Sequence, residues 1–311
     1  MNMQTQTETK ASKKVERSAA EKLILIAGWA SMAVALILLI AKLSAWFWTG
    51  SVGVLAALVD SLLDLLASGI NMLAIRYAMV PPDDEHRFGH GKAEALAGLG
   101  QAIFISSSAL FLFIFSIERI INPEIIESLS IGTSVIGFSI ILTSILVMFQ
   151  RYVVRKTGSV AIKADSLHYA ADFLSNAGVL LGLVLYYYGW LYSDPVIALL
   201  ISLFILKSAY DIGNESVQLL LDRELPEDEQ RNILDVVASH TDVIEVHDLR
   251  TRQSGRTKFV QLHLVMAGQL SLFDAHVLSD AVEADIRALF DDVDIIIHQD
   301  PHTEAVSTQA F

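Results

Sequence analysis

The chain has 311 residues, 53% hydrophobic and only 18% charged, with a mean hydropathy of +0.49. A charged share this far below the usual ~25% excludes a disordered chain and an ordinary soluble protein. The net charge of −13 is unevenly placed, because residues 222–311 carry 7 Lys/Arg against 18 Asp/Glu while residues 1–221 are close to neutral. An acidic soluble part repels nucleic acid and attracts cations, and 0 Cys excludes disulfides and thiolate metal sites.

In chain order, a polar tail (1–20) precedes a hydrophobic part (21–221) with six apolar runs, at about 23–48, 52–80, 95–121, 129–149, 160–189 and 195–221. Each is long enough for the ~20 residues that a bilayer crossing needs. The first run is too long for the core of a signal peptide. Lys10, Lys13, Lys14, Arg17 and Lys22 precede span one, Arg87 and Lys92 lie between spans two and three, and Arg151, Arg155, Lys156 and Lys163 lie between four and five. The alternate connections, Thr49 to Ser51, Asn122 to Ser128 and Tyr186 to Asp194, have no Lys or Arg. This asymmetry predicts that both termini face the cytoplasm, and Tyr186 to Tyr192 reads as an aromatic belt at the outer interface.

After Leu221 the periodicity changes. Leu225 to His240 has a helical stripe, Ile244 to Arg252 and Lys258 to Met266 alternate like strands around a Gln253-Ser254-Gly255 turn, Ser271 to Phe290 is helical, and Val293 to Asp300 is a short strand stopped by Pro301. The order predicts a small two-layer α+β domain over 222–302, followed by a tail, 303–311.

Span two carries Asp60 and Asp64, and span five carries His168 and Asp172. Each pair has i, i+4 spacing, which puts its members on one helix face. A carboxylate near the bilayer centre costs roughly 3 kcal/mol on insertion scales, so it must face a partner or a wet cavity. One such residue could be a structural hydrogen-bonding group. Two pairs on separate spans instead form a ligand set of one His and three Asp, suited to tetrahedral Zn²⁺ and tolerant of Fe²⁺, Cd²⁺ or Mn²⁺. Asp165, one turn before His168, reads as an entrance or supporting carboxylate, and Lys42, Lys207 and Asp211 as snorkelling or end-of-span residues.

A second candidate site lies in the connection after span two, where Asp83, His86 and His90 are spaced for a helical turn or a folded loop around a metal. Phe88-Gly89-His90-Gly91-Lys92 lacks the phosphate-loop pattern. A third lies in the acidic domain. There Glu245, His247 and Leu249 are expected on one strand face, Phe259, Gln261 and His263 on the next, and Ile296, His298 and Asp300 on the third. With His276 from the second helix, four His and Asp300 could converge, Asp300 bridging two ions.

The segments Leu58-Val59-Asp60-Ser61-Leu62-Leu63-Asp64, Asp83 to Glu94, Ala164 to Asp172, Leu221 to Leu225, Val246 to Arg252 and Ile297 to Pro301 together resemble the cation diffusion facilitator family over nearly the whole chain after residue 20. The resemblance implies a six-helix transmembrane domain with a ferredoxin-like (αββαβ) cytosolic domain, assembled as a homodimer in the cell inner membrane. It implies a metal/proton antiporter, not an enzyme, that exports Zn²⁺, with Cd²⁺ and Fe²⁺ also open because Asp60 stands where zinc-restricted members have His. The transport site is then Asp60, Asp64, His168 and Asp172, the loop site Asp83, His86 and His90, and the binuclear regulatory site His247, His263, His276, His298 and Asp300. Lys92 and Asp222 match an ion pair linking the two domains at the dimer contact, and Leu167 matches an apolar gate. No ATP, nucleic acid or organic cofactor is expected; the partners are a second copy, metal ions, protons and membrane lipid. The alternatives are a membrane-anchored metal sensor or buffer without transport, a Mn²⁺-selective exporter, and an intramembrane metalloenzyme, for which no His-Glu-x-x-His or Gly-x-Ser-x-Gly motif is present.

Overall fold

The computed structural model describes residues 3–49, 52–122, 132–190 and 192–302. The expected connections around 50–51 and 123–128, the start of span four at 129 and the C-terminal tail from 303 lie outside them. The chain divides into two compact units, one of Ala20–Val217 and one of Gln218 onward together with Met1–Ala19.

The first unit is built from α1 (Met3–Thr49, which begins in the polar tail), α2 (Val52–Ala78), α3 (Lys92–Ile121), α4 (Gly132–Thr157), α5 (Val160–Tyr187) and α6 (Ser193–Leu220). Among the described residues, five of these helices are long and apolar enough to cross a membrane. The sixth, α5, carries Lys163, Asp165, His168 and Asp172, and the others enclose most of its first half. Its Val160, Ala161, Ile162, Ala164, Tyr169 and Ala170 are all buried; Ala161, Ile162, Tyr169 and Ala170 pack in clusters with Ile24 and Val34 of α1, Ile75 of α2 and Val153 of α4, and Ala164 with Ala102 of α3 and Ile212 of α6. A helix screened from lipid by protein can hold ionisable groups that a lipid-facing one cannot. The opposite pattern holds on the outside, where Trp48, Ile70, Phe111, Met148 and Tyr210 are exposed, as side chains solvated by hydrocarbon should be.

The helices outrun the apolar signal. Arg151, Arg155 and Lys156 were expected in a connection but lie in the last two turns of α4, and Lys163 lies on α5, leaving only Gly158 and Ser159 between the helices. Basic residues complement the C-terminal end of the helix dipole there, and Gly158 supplies the positive φ of 66° that turns the chain.

The second unit contains α7 (Glu227–Ala238), β1 (Val243–Ser254), β2 (Thr257–Ala267), α8 (Leu272–Leu289) and β3 (Val293–His302). The sheet order is β1-β2-β3, with β1 antiparallel to β2 and β2 parallel to β3. The hairpin turns at Gly255 (φ +58°), and α8 is the crossover that a parallel pair requires. Ile233 and Val237 of α7 and Val282 and Ile286 of α8 bury against Val260, Leu262 and Leu264 of β2, so the helices cover one sheet face. Leu262→Ala in the full chain is expected to cost this unit about 2–5 kcal/mol, read as faster hydrogen exchange of the β2 and β3 amides; unchanged exchange would contradict this core.

Two strand expectations are corrected. Strand β3 does not stop at Pro301 but runs through it to His302, with Pro301 opposite Met266; an edge strand tolerates a residue that cannot donate on its outer side. The ladder of β1 shifts register between His247 and Arg250, with Asp248 at φ +50°. That bulge puts Leu249 into the core, away from the His247 face it was expected to share.

Candidate metal centres

The first cluster forms where α2 faces α5. His168 Nε2 lies 3.1 Å from Asp64 Oδ1 and 3.8 Å from Asp172 Oδ2, and the three residues can offer one ligand atom each, all within 4.8 Å of one another. Asp60, one turn from Asp64, is exposed but lines the same cavity of about 90 Å³ with Asp64, His168 and Asp172. One water needs only roughly 10–15 Å³ of such space, so the cavity has room for an ion and water. The structure thus brings Asp64, His168 and Asp172 together, with Asp60 at the cavity's exposed side. Leu167, next to His168, packs towards Ile105 and Ala109 of α3 and Ile205 and Ala209 of α6.

Sequence reading missed the polar frame behind this cluster. Tyr169, fully buried, donates its hydroxyl to the Ser31 carbonyl at 3.0 Å and lies 2.9 Å from Ser68 Oγ. Asp165 is also enclosed, so it is not at an entrance: its Oδ2 accepts from Ser31 Oγ at 2.5 Å and Gln150 Nε2 at 2.7 Å, tying α1, α4 and α5. No spacing rule within one helix reveals such partners. Asp165→Ala removes the acceptor of one Gln150 N–H, while the other still reaches Ser31 Oγ at 2.8 Å and Ser31 can still donate to the Ala27 carbonyl at 3.0 Å. One stranded buried donor costs roughly 1–3 kcal/mol, so the detergent-solubilised protein is expected to melt earlier, with Asp165→Asn intermediate. An unchanged melting temperature in the Ala variant would show that the tie is not structural.

The second cluster is a folded loop between α2 and α3, not a helical turn. Asp83 Oδ1 accepts from the backbone N–H groups of His86 (2.6 Å) and Glu85 (3.0 Å). These bonds, the His86 one foremost, hold its carboxyl below the usual range. His90 Nδ1 lies 3.2 Å from the Val80 carbonyl, so Nδ1 carries the proton and Nε2 is free to bind, 3.3 Å from Asp83 Oδ2. His86 Nδ1 approaches Asp83 at 3.4 Å. Asp83, His86 and His90 therefore form a second possible ligand set.

The third cluster crosses the sheet. His247, His263 and His298 are register partners on β1, β2 and β3, forming a row on the face away from α7 and α8. Asp300 collects all three, with His263 Nδ1 at 2.8 Å, His247 Nε2 at 3.3 Å and His298 Nε2 at 3.3 Å. The bulge adds a residue that alternation alone could not place: Asp248 Oδ2 is 3.7 Å from His263 Nε2 and is held by Arg250 at 3.0 Å. His276 stands apart. It follows Ala275 on α8, whose buried stripe faces the other side of the sheet, and it is exposed beside Asp280 at 3.6 Å; within one chain it cannot join the His row.

Lys92 opens α3 in the first unit. Asp222 belongs to the second, at φ +57° and 3.4 Å from Arg252 Nη1.

Two family models match the chain, the cation efflux transmembrane domain over residues 28–221 and the cation efflux protein cytoplasmic domain over residues 225–302. The cation-efflux pump FieF of Salmonella arizonae is 51% identical over 280 residues, covering 90% of this chain and 93% of that protein. The FieF of Salmonella newport shows the same identity and coverage. The metal-bound C-terminal domain of the CzcD transporter from Thermotoga maritima is 28% identical over 24% of this chain and 87% of that one, with a TM-score of 0.23. With both domains matched in order, and relatives this similar over nine-tenths of its length, the chain belongs to the cation efflux family of membrane transporters.

Proposed function

We propose that the chain exports a divalent metal ion, Zn²⁺ with Cd²⁺ and Fe²⁺ as further substrates, from the cytoplasm across the inner membrane in exchange for protons, both termini lying in the cytoplasm. The observation that carries this reading is the shared contact of His168 Nε2 and Asp64 Oδ1 at 3.1 Å inside a helix bundle. An atom of His168 that holds a proton there cannot also hold a metal, and the carboxylates must likewise be deprotonated to bind it. Metal loading therefore displaces protons from Asp60, Asp64, His168 and Asp172, and proton entry from the outer side expels the metal. Alternating access exposes this one site to each side in turn, with Leu167 as the apolar gate.

The cytosolic cluster is proposed as a regulatory metal site in a homodimer, and the loop cluster as an accessory one. Because the His row is open on the face away from the helices, His276 can enter the regulatory site only from a second copy. Lys92 and Asp222 are proposed to pair between the two domains.

Reconstituted vesicles test the reading directly. Zn²⁺, Cd²⁺, Fe²⁺ and Mn²⁺ are supplied side by side, and metal uptake and internal pH are recorded together. Metal movement accompanied by opposite proton movement is the expected result. Binding without flux would instead identify a sensor or buffer, and flux with Mn²⁺ alone would reassign the substrate.

A further inference from the structure

A second cavity in the first unit shares no lining residue with the one at Asp64, His168 and Asp172. It is a groove of about 990 Å³ between α4 and α6, floored by α5, at the upper end of the range for small-molecule sites. Each helix contributes a stripe at helical spacing: Ser144, Val147, Met148, Arg151 and Arg155 from α4; Leu167, Ala170 and Leu174 from α5; Leu200, Phe204 and Ile212 from α6. From Ser144 to Arg155 the groove runs about 16 Å at 1.5 Å per residue, close to half of a ~30 Å hydrocarbon core.

Its charge is confined to one end. Arg151 and Arg155 line the groove where α4 approaches its C-terminus, and Lys163 lines it at the start of α5. Lys163 is already engaged by Glu215, and the one carboxylate in the lining, Asp211, is engaged by Lys207 at 3.2 Å. Among the described residues, neither Arg151 nor Arg155 has an acidic partner. A path for a divalent cation would not be lined by unpaired arginines. A groove of about one leaflet's length, apolar along most of its lining and carrying two guanidinium groups without an acidic partner at its other end, instead matches an anionic amphiphile. We propose that this groove binds an anionic phospholipid, with its acyl chain along Met148, Leu174, Leu200 and Phe204 and its phosphate on Arg151 and Arg155. Assigning that lipid to the cytoplasmic leaflet rests on the orientation proposed above.

The test uses the full chain in phosphatidylcholine nanodiscs, with Phe204→Trp as a reporter of the groove and the parent protein subtracted for Trp29, Trp46, Trp48 and Trp190. Tail-brominated phosphatidylglycerol is compared with tail-brominated phosphatidylcholine as quencher. The expected preference for the anionic lipid is about 30-fold, from two guanidinium groups near the headgroup. It should fall close to unity in Arg151→Gln/Arg155→Gln and largely persist in Arg151→Lys/Arg155→Lys. It should also weaken as salt is raised on the reporter protein with both arginines in place, a measurement independent of how the variants fold. Equal quenching by the two lipids would reduce the groove to ordinary bilayer contact, and no quenching by either would mean that a second copy covers it. Either result overturns the proposal, as does a preference that survives the double Gln change. Nanodiscs expose both leaflets, so the outcome does not depend on which face is cytoplasmic; the vesicle experiment tests that separately.

Discussion

Asp64→Ala is expected to abolish metal flux in sealed vesicles. Asp64 is the buried member of its helix pair, and its Oδ1 is the nearest carboxylate oxygen to His168 Nε2, at 3.1 Å against 3.8 Å for Asp172. Without it the cavity retains the imidazole, Asp172 and an aspartate at its exposed side, too few buried donors to strip an ion of its water. Losing a residue that merely supports a metal ligand typically costs about 10–100-fold in affinity, so losing this carboxylate should cost no less than the upper end of that range. Asp172→Ala should behave alike. Asp60→Ala should differ in kind: because Asp60 lies at the exposed side of the cavity, its removal is expected to alter the relative rates of Zn²⁺ and Cd²⁺ more than to stop flux. Uptake at the unaltered rate in either the Asp64 or the Asp172 variant would remove the proposed site. The effect must be read as flux, because a variant that still binds metal on its cytosolic domain would look intact in a binding assay.

What could be read in the sequence follows how local each feature is. The i, i+4 pairs on α2 and α5 were legible because one helix turn fixes both members on one face, and only the choice of facing helices remained. The His row was legible because three strands with two-residue alternation place His247, His263 and His298 on matching faces. Features set by contacts distant in sequence were not. Asp165 reads as an entrance or supporting carboxylate from its position one turn before His168, and only the packing of α1 and α4 over α5, which encloses it with Ser31 and Gln150, decides for the second. Asp248 was overlooked, and Leu249 put on the wrong face, because a bulge adds one residue to the alternation and nothing in Val246-His247-Asp248-Leu249 announces it. The charges of Arg151 and Arg155 marked a loop by composition. Yet long basic side chains are good helix formers whose heads can leave the membrane while the backbone remains helical.

Asp300→Ala should disconnect metal from the geometry of the cytosolic domains while leaving the proposed transport cluster untouched. The Asp300 carboxylate gathers three imidazoles within 3.3 Å, and a carboxylate with two oxygens facing different rings can bridge two ions. The surrounding segment, with 7 Lys/Arg against 18 Asp/Glu over residues 222–311, is strongly anionic, so two such domains repel each other until bound cations reduce the charge. Metal binding should therefore draw the paired domains together. The chain has 0 Cys, so a single exposed position on α7, Asn232→Cys, can carry a spin label without a prior cysteine-removal step. In the proposed homodimer, so labelled, Zn²⁺ is expected to shorten the label separation; with Asp300→Ala added, the same shift should require at least about tenfold more metal or fail to occur. Because the proposed transport ligands lie on α2 and α5, flux at saturating metal should survive this change even though its dependence on cytosolic metal is altered. A separation insensitive to Zn²⁺ in the unaltered domain, or an unchanged response in the Asp300 variant, would show that the His row does not read the metal.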